Sequence, residues 1–140
     1  MSGVDTDRRS PDTDDPELPR RLLIVEDNPD IRAMIAILFA HPQVSITTAD
    51  DAGTGLETAA KVRPHVMLID VVLPGRDGVE VFHELRRARL SPRVLFMSAA
   101  PRLGAATRAS ELGAYGFISK PFDASARELI LRALDLPPKS

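Results

Sequence analysis

Short apolar runs alternate with longer amphipathic segments over most of the chain. Five of the runs have the length of buried strands, and they lie at residues 21–26, 44–48, 65–70, 93–97 and 115–119. Between the runs, apolar residues recur at helical spacing, and the first such set is Ile31, Met34, Ile35 and Leu38. Since the strands are apolar throughout, both faces of the sheet are expected to be covered. The pattern predicts an α/β fold in which a doubly wound, five-stranded parallel sheet alternates with five helices.

Local signals indicate where some of these helices begin. Asn28 is a favourable N-cap with Pro29 in the first helical position, and Asp77 is a favourable cap for the third helix. Residues 100–109 contain a proline, a glycine and several alanines, so the fourth helix has a poor apolar stripe. We expect the first turn of that helix to be irregular or mobile.

One domain, at residues 21–136, accounts for the alternating pattern. Residues 1–20 hold five aspartates, three prolines and three arginines with almost nothing apolar, which predicts a disordered tail rather than a docking arm. Residues 137–140 begin with two prolines and are expected to form a short tail. On this division the chain is a stand-alone domain.

Composition narrows the functional classes. The net charge of −2 argues against direct nucleic-acid binding through bulk charge. The absence of cysteine excludes disulfides, thiol catalysis and thiolate metal sites. No apolar run approaches the roughly 20 residues that a membrane span needs. A cytoplasmic protein without a membrane segment is therefore expected.

Polar side chains follow four of the five predicted strands. Glu26 and Asp27 close the first, Asp70 the third, Ser98 the fourth and Lys120 the fifth. Chemistry in an open parallel sheet collects at the carboxyl ends of the strands, so these side chains are expected to converge. Crowded carboxylates repel one another unless a cation is bound, and an all-oxygen site selects a hard ion such as Mg²⁺.

This set of groups suits phosphoryl transfer. Asp70 is a nucleophile of the kind that forms aspartyl phosphates, provided that the oxygens of the phosphoryl donor are neutralised. Lys120 and Mg²⁺ would supply that positive charge, and the Ser98 hydroxyl could donate a hydrogen bond to a phosphoryl oxygen.

Four motifs in register resemble the receiver domains of response regulators in bacterial two-component signalling. They are Leu-Ile-Val-Glu-Asp-Asn at 23–28, Leu-Ile-Asp-Val-Val-Leu-Pro-Gly-Arg-Asp-Gly at 68–78, Phe-Met-Ser-Ala at 96–99 and Lys-Pro-Phe at 120–122. The resemblance runs from about Arg21 to Leu136 and is closest to stand-alone receivers of the chemotaxis kind. It implies a flavodoxin-like sheet with strand order 2-1-3-4-5.

The resemblance also implies a role for each matching residue at the acidic edge. Asp70 would accept the phosphoryl group, with Lys120 beside it. Asp27 would bind Mg²⁺ directly, Glu26 through water, and the backbone carbonyl of Val72 would be a third protein ligand.

A second group of residues would respond to phosphorylation. Ser98 stands where the family commonly has threonine and would be the switch hydroxyl. Phe117 would be the aromatic side chain that follows it, and Pro121 would follow a cis peptide bond. The face made by the fourth helix, fifth strand and fifth helix would then change its contacts.

The resemblance extends to partners. A histidine kinase or phosphotransfer protein would supply the phosphoryl group, and a downstream effector protein would read it. The domain would be a monomer or weak dimer, and it would catalyse only its own phosphorylation and dephosphorylation rather than act as an enzyme on other substrates.

Two alternatives stay open at this stage. A degenerate receiver could act as a phosphorylation-independent interaction module, although the acidic, hydroxyl and lysine set is intact. A phosphatase with an aspartate nucleophile would carry a second aspartate two residues later, where Val72 stands.

Because Val72 and Ala100 are apolar and cannot orient a hydrolytic water, slow loss of the phosphoryl group is expected.

Overall fold

Five parallel strands form the central sheet of the structure, a computed structural model that describes residues 18–99, 104–120 and 122–137. The strands are β1 (Arg20–Val25), β2 (Val44–Ala49), β3 (Val66–Asp70), β4 (Arg93–Ser98) and β5 (Gly116–Ser119). The helices that alternate with them are α1 (Pro29–Leu38), α2 (Ala52–Val62), α3 (Gly78–Arg87), α4 (Ala105–Leu112) and α5 (Ala124–Ala133). The strand order β2-β1-β3-β4-β5 confirms the predicted doubly wound, flavodoxin-like fold.

Each central strand contributes to two separate cores. Along β1, Leu23 and Val25 pack in the core on the α2 and α3 side of the sheet. Leu22 and Ile24 point the other way, into the core that contains Ile35 of α1. All four β1 side chains are at most 1% exposed. This two-sided burial is the reason that the strand reads as one continuous apolar run.

Helix caps lie at the same edge of the sheet as the carboxyl ends of the strands. The Asn28 side chain accepts hydrogen bonds from the backbone N–H groups of Asp30 and Ile31, which confirms the predicted cap of α1. Asp77 caps α3, as predicted, and the structure adds a reciprocal capping box with Glu80. These caps begin each helix directly beside the strand that precedes it.

The structure differs from the sequence prediction in three places. Residues Val72–Leu73 and Arg76–Asp77 form a short antiparallel hairpin, which the predicted pattern of five strands does not include. Met34 was predicted on the inner face of α1 but is 46% exposed. The helix predicted around 100–109 is α4, which starts only after Gly104 and has no side-chain cap.

Several predictions fall outside the described residues. They concern the tail up to residue 17, Ala100, Pro121 and residues 138–140. Arg20, placed in the tail by the sequence reading, is the first residue of β1. Within the described ranges, no helix has the length and apolarity needed to cross a membrane.

Candidate functional site

A partly buried ammonium group contacts two carboxylates at the carboxyl edge of the sheet. Lys120, directly after β5, places its Nζ 2.6 Å from Oε1 of Glu26 and 2.8 Å from Oδ2 of Asp70. Glu26 is 1% exposed and Asp70 is 6% exposed. Asp27 lies next to them and is exposed. The three acids and the lysine that the sequence predicts to converge do come together.

The local backbone fixes the position of Asp70. Its Oδ1 accepts a hydrogen bond of 2.9 Å from the backbone N–H of Val72. The backbone N–H of Val71 donates to Met97 in the neighbouring strand, and Gly78 donates to the carbonyl of Val71. A side chain at Gly78 would place its Cβ 2.5 Å from the carbonyl oxygen of Asp70. The absence of a side chain at Gly78 therefore lets α3 begin directly against the Asp70 backbone.

The N-cap of α1 and a side chain in its first turn position the acidic pair. The backbone N–H of Asn28 donates to Oε2 of Glu26 at 3.1 Å. The Arg32 guanidinium donates to the carbonyl oxygens of Glu26 at 2.9 Å and Asp27 at 3.1 Å. The sequence reading missed Arg32. Its signal is a charged residue one helical turn into α1, on the side that faces the strand end.

Burial and charge act against each other in this cluster. Burial raises the pKa of Glu26 above its ordinary value, and the nearby Asp70 carboxyl adds to the rise, although hydrogen bonds from Lys120 and Asn28 oppose it. Burial alone would lower the pKa of Lys120, but its hydrogen bonds with Asp70 and Glu26 outweigh that effect and the pKa is raised. Lys120 therefore stays charged and partly neutralises the two acids.

The remaining side of the cluster can hold a hard cation. One carboxylate oxygen each from Glu26, Asp27 and Asp70 lies within 4.8 Å of the other two. The donors are all oxygen, and the exposed Asp27 leaves a path for hydrated ions. This donor chemistry fits Mg²⁺, which takes few carboxylates and retains water ligands. Lys120 neutralises only part of the charge, so a cation would stabilise the cluster further.

Ser98 and Phe117 lie beside the acidic cluster and share a cleft. The carbonyl oxygen of Ser98, the last residue of β4, accepts a hydrogen bond of 2.8 Å from the backbone N–H of Lys120. Phe117 in β5 is half-buried and packs against the core on the α2 and α3 side. Both residues line a cleft of about 890 Å³ that Val72 also borders. A change at Ser98 can therefore reach the lysine loop and the space beside Phe117.

Comparison with known proteins agrees with this arrangement. Residues 22–133 match the model of the response regulator receiver domain. The chain is 33% identical over 117 residues to the regulatory protein AtoC of Escherichia coli, covering 83% of this chain. It is 37% identical over 103 residues to the transcriptional activator protein IrlR of Burkholderia pseudomallei, covering 74% of this chain.

The fold likeness is equally extensive. The high-resolution structure of the chemotaxis response regulator CheY4 of Vibrio cholerae superimposes with a TM-score of 0.72 at 24% identity, covering 83% of this chain and 98% of that one. The curated relatives are longer, and this chain spans 25% of AtoC and 44% of IrlR.

Receiver domains are in general signalling modules that accept a phosphoryl group, use Mg²⁺, and interact with histidine kinases and downstream effectors. The family match covers most of the chain, and the acidic cluster occupies the edge of the sheet where this chemistry is expected. The chain belongs to the response regulator receiver domain family.

Proposed function

We propose that Asp70 accepts a phosphoryl group from a phosphohistidine on a partner kinase or phosphotransfer protein, in a reaction that requires Mg²⁺. The observation that carries the proposal is the contact of Lys120 with both Asp70 and Glu26, at 2.8 Å and 2.6 Å, next to the exposed Asp27. A strand-ending acid that served only as a cap would need neither a partly buried ammonium partner nor two neighbouring carboxylates.

The residues of this chain supply positioning and charge for the transfer. An oxygen of Asp70 forms a bond to phosphorus while the bond from phosphorus to the partner's imidazole nitrogen breaks, leaving neutral histidine after proton uptake. Lys120 is placed to pair with the oxygens of the transferred group, as such reactions depend mainly on electrostatic stabilisation. Bound Mg²⁺ would supply further positive charge, held by Asp27, Asp70, Glu26 through water, and the carbonyl of Val72.

The switch that follows uses the same edge. A phosphoryl group on Asp70 offers new acceptor oxygens to the Ser98 hydroxyl and to Lys120. The hydrogen bond between the backbones of Lys120 and Ser98 links the two loops, so that both move together. Phe117 would then fill the cleft beside Ser98, and the face of α4, β5 and α5 would change its affinity for an effector or a second copy.

The outer face of α1 suits the phosphohistidine-bearing partner. Met34 is 46% exposed and Ile37 is 78% exposed, so two large apolar side chains face solvent on the helix that starts beside Asp27. Exposed apolar patches beside a reactive site mark partner contacts more often than isolated apolar residues do. A helical partner seated there would bring its histidine close to Asp70.

Replacing Ile37 by glutamate distinguishes docking of the partner protein from phosphorylation of Asp70 itself. We expect phosphotransfer from the histidine protein to fall by about tenfold, because a charge replaces an apolar contact worth roughly 1.5 kcal/mol. Phosphorylation by acetyl phosphate should not change, because that donor does not need the surface. Ala60→Glu, on the exposed side of α2, is the matched control. Equal loss with both donors would contradict the assignment of this face.

The apolar Val72 and Ala100 predict a long-lived phosphoryl group. Val72 is 71% exposed at the edge of the site, so a polar side chain there could reach a water molecule near Asp70. The double variant Val72→Asn, Ala100→Glu is expected to shorten the phosphoryl half-life by about tenfold, less than the roughly 10²–10⁴-fold of a general acid or base, because the new side chains only orient a water molecule. The half-life is measured by loss of phosphorylated protein after the donor is removed. An unchanged half-life would count against this explanation.

Beryllofluoride with Mg²⁺ tests the proposed function directly. We expect amide shifts around Asp70, Ser98 and Phe117 in the NMR spectrum of the wild type, and none in Asp70→Asn. Asp50 is an exposed acid that follows β2 at the same edge, so Asp50→Asn is the control and should respond like the wild type. A folded wild type that gives no response would favour the phosphorylation-independent interaction module instead.

A further inference from the structure

Arginines line the amino-terminal edge of the sheet, opposite the acidic site. A pocket of about 200 Å³ is bordered by Arg20, Arg63, Arg89 and Arg93, and an adjoining one of about 630 Å³ by Arg86, Arg89 and Arg93. The two pockets share the loop between α3 and β4. Together they form an arginine trough, defined by these five side chains.

The charge of the arginine trough is only partly compensated. Asp135 is the one acid among the described residues that border it, and it pairs with Arg93 at 3.0 Å and with Arg20 at 3.9 Å. Within the described part of the chain, no carboxylate forms an ion pair with Arg63 or Arg89. Both of these side chains are exposed. The trough therefore presents an excess of positive charge on a protein whose net charge is −2.

The ends of three helices bring these charged side chains to one edge. Arg63 is the C-cap of α2, and Arg89 and Asp135 each lie two residues after the end of α3 and α5. Their φ values are 51°, 62° and 61°, the left-handed conformation in which helices commonly end. All three residues border the smaller pocket, so the helix ends fix where the two arginines stand.

An acidic segment of the same chain precedes Arg20 in the sequence. Residues 12–17, Asp-Thr-Asp-Asp-Pro-Glu, carry four negative charges and end three residues before Arg20, which itself borders the trough. An extended chain spans at most about 3.5 Å per residue, so every acid of the segment can lie within about 30 Å of Arg20. Pro11, Pro16 and Pro19 favour extended backbone and reduce the entropy lost on binding.

In contrast to the expectation from sequence that the tail does not dock, we propose that the acidic segment 12–17 binds in the arginine trough of its own domain, through carboxylate contacts with Arg63 and Arg89. Tethering favours this occupant over free anions, because a short linker gives an effective concentration in the millimolar range. Nucleic acid is disfavoured, because the same carboxylates would repel phosphates that approach the trough. The bound segment closes this edge to other anions, independently of the chemistry at Asp70.

NMR of the full chain at low salt tests the contact. The variant Asp12→Asn, Asp14→Asn, Asp15→Asn is expected to shift the side-chain Nε–H signals of Arg63 and Arg89. The control Asp50→Asn, Glu57→Gln, Glu128→Gln removes the same charge elsewhere and should leave them in place. Reciprocally, Arg63→Gln, Arg89→Gln should shift the amides of residues 12–17. Unshifted amides in that variant would overturn the proposal.

Competition with tripolyphosphate tests whether the segment is the occupant. The tail variant is Asp12→Asn, Asp14→Asn, Asp15→Asn, and the charge control is Asp50→Asn, Glu57→Gln, Glu128→Gln. In Mg²⁺-free buffer, we expect tripolyphosphate to bind about tenfold more tightly to the tail variant than to the wild type or the charge control. The double variant Arg63→Gln, Arg89→Gln should not bind it. Equal affinity for tail variant and wild type would overturn the proposal in favour of a free anion site. Retention of duplex DNA by the wild type at physiological salt, lost with the two arginines, would overturn it in favour of a nucleic-acid surface.

Discussion

Replacing Lys120 by methionine is expected to slow phosphorylation of Asp70 by acetyl phosphate by about 10²–10³-fold. The Lys120 ammonium lies 2.8 Å from the Asp70 carboxylate, where the charge of the incoming phosphoryl oxygens must be stabilised. Loss of one preorganised donor in such a site has an effect of this size. The rate is measured with Mg²⁺ at saturation. Lys61→Met, on the exposed face of α2, is the control and should react at the wild-type rate.

The same substitution should destabilise the protein in the absence of metal. Glu26 and Asp70 would be left buried together without a cation, which is expected to cost about 2 kcal/mol, less than in a fully enclosed site because the Asp27 side is open to water. Mg²⁺ should restore part of the loss in denaturant titrations. Equal stability of Lys120→Met and Lys61→Met without metal would contradict this electrostatic account.

The stability that Lys120→Met loses should depend on pH because of the Glu26 carboxyl. Its pKa in the folded wild type is already raised above the ordinary 4.5, and removal of Lys120 should raise it further. The folded variant then binds more protons than the unfolded chain, so its stability falls as pH rises above about 4.5. The deficit relative to wild type should therefore be small in acid and larger near neutrality.

Gly78→Ala is expected to destabilise the fold by about 3 kcal/mol and to impair the site at the same time. An added Cβ would lie 2.5 Å from the Asp70 carbonyl oxygen, 3.0 Å from Cα of Val71 and 3.1 Å from Cγ2 of Ile69. Two of these atoms belong to the backbone and cannot rotate away, so α3 or the end of β3 must move. Thermal and denaturant unfolding measure the first effect, and acetyl phosphate labelling the second.

Gly53→Ala provides the matched control for that steric argument. Gly53 is exposed in α2, and the nearest atom to an added Cβ is Oδ1 of Asp51 at 3.6 Å. Alanine there should stabilise the protein by about 0.5–1 kcal/mol, because it reduces the entropy of the unfolded chain and favours the helix. Similar destabilisation at both positions would show that close approach to Asp70 is not the cause.

Sequence periodicity was sufficient to predict the central sheet, because strands that are buried on both faces appear in the sequence as continuous apolar runs. β1, β3 and β4 are continuous apolar runs, and the shared edge at which β3 and β5 end predicts that Asp70 and Lys120 lie close together. The caps at Asn28 and Asp77 were also predicted, because an N-cap depends on neighbours within a few residues.

Contacts between side chains that are distant in the sequence could not be predicted from the sequence. The 2.6 Å contact of Lys120 with Glu26 joins residues 94 positions apart, and it depends on strand register and side-chain packing. Arg32 was missed because its partners are backbone carbonyl oxygens, so its position in the first turn of α1 is the one sign of its role in the sequence. Met34 was wrongly predicted to face the core, because the apolar stripe of a helix does not show which of its residues lie at the boundary with solvent.

Identification of the modified residue tests the central claim most directly. The protein is incubated with acetyl phosphate and Mg²⁺, the acyl phosphate is reduced with borohydride, and the peptides are mapped by mass spectrometry. Reduction converts an aspartyl phosphate into homoserine at the phosphorylated position. We predict homoserine at residue 70, dependent on Mg²⁺ and absent without the donor. Homoserine at Asp27 instead, or none in a folded and metal-loaded protein, would contradict the account.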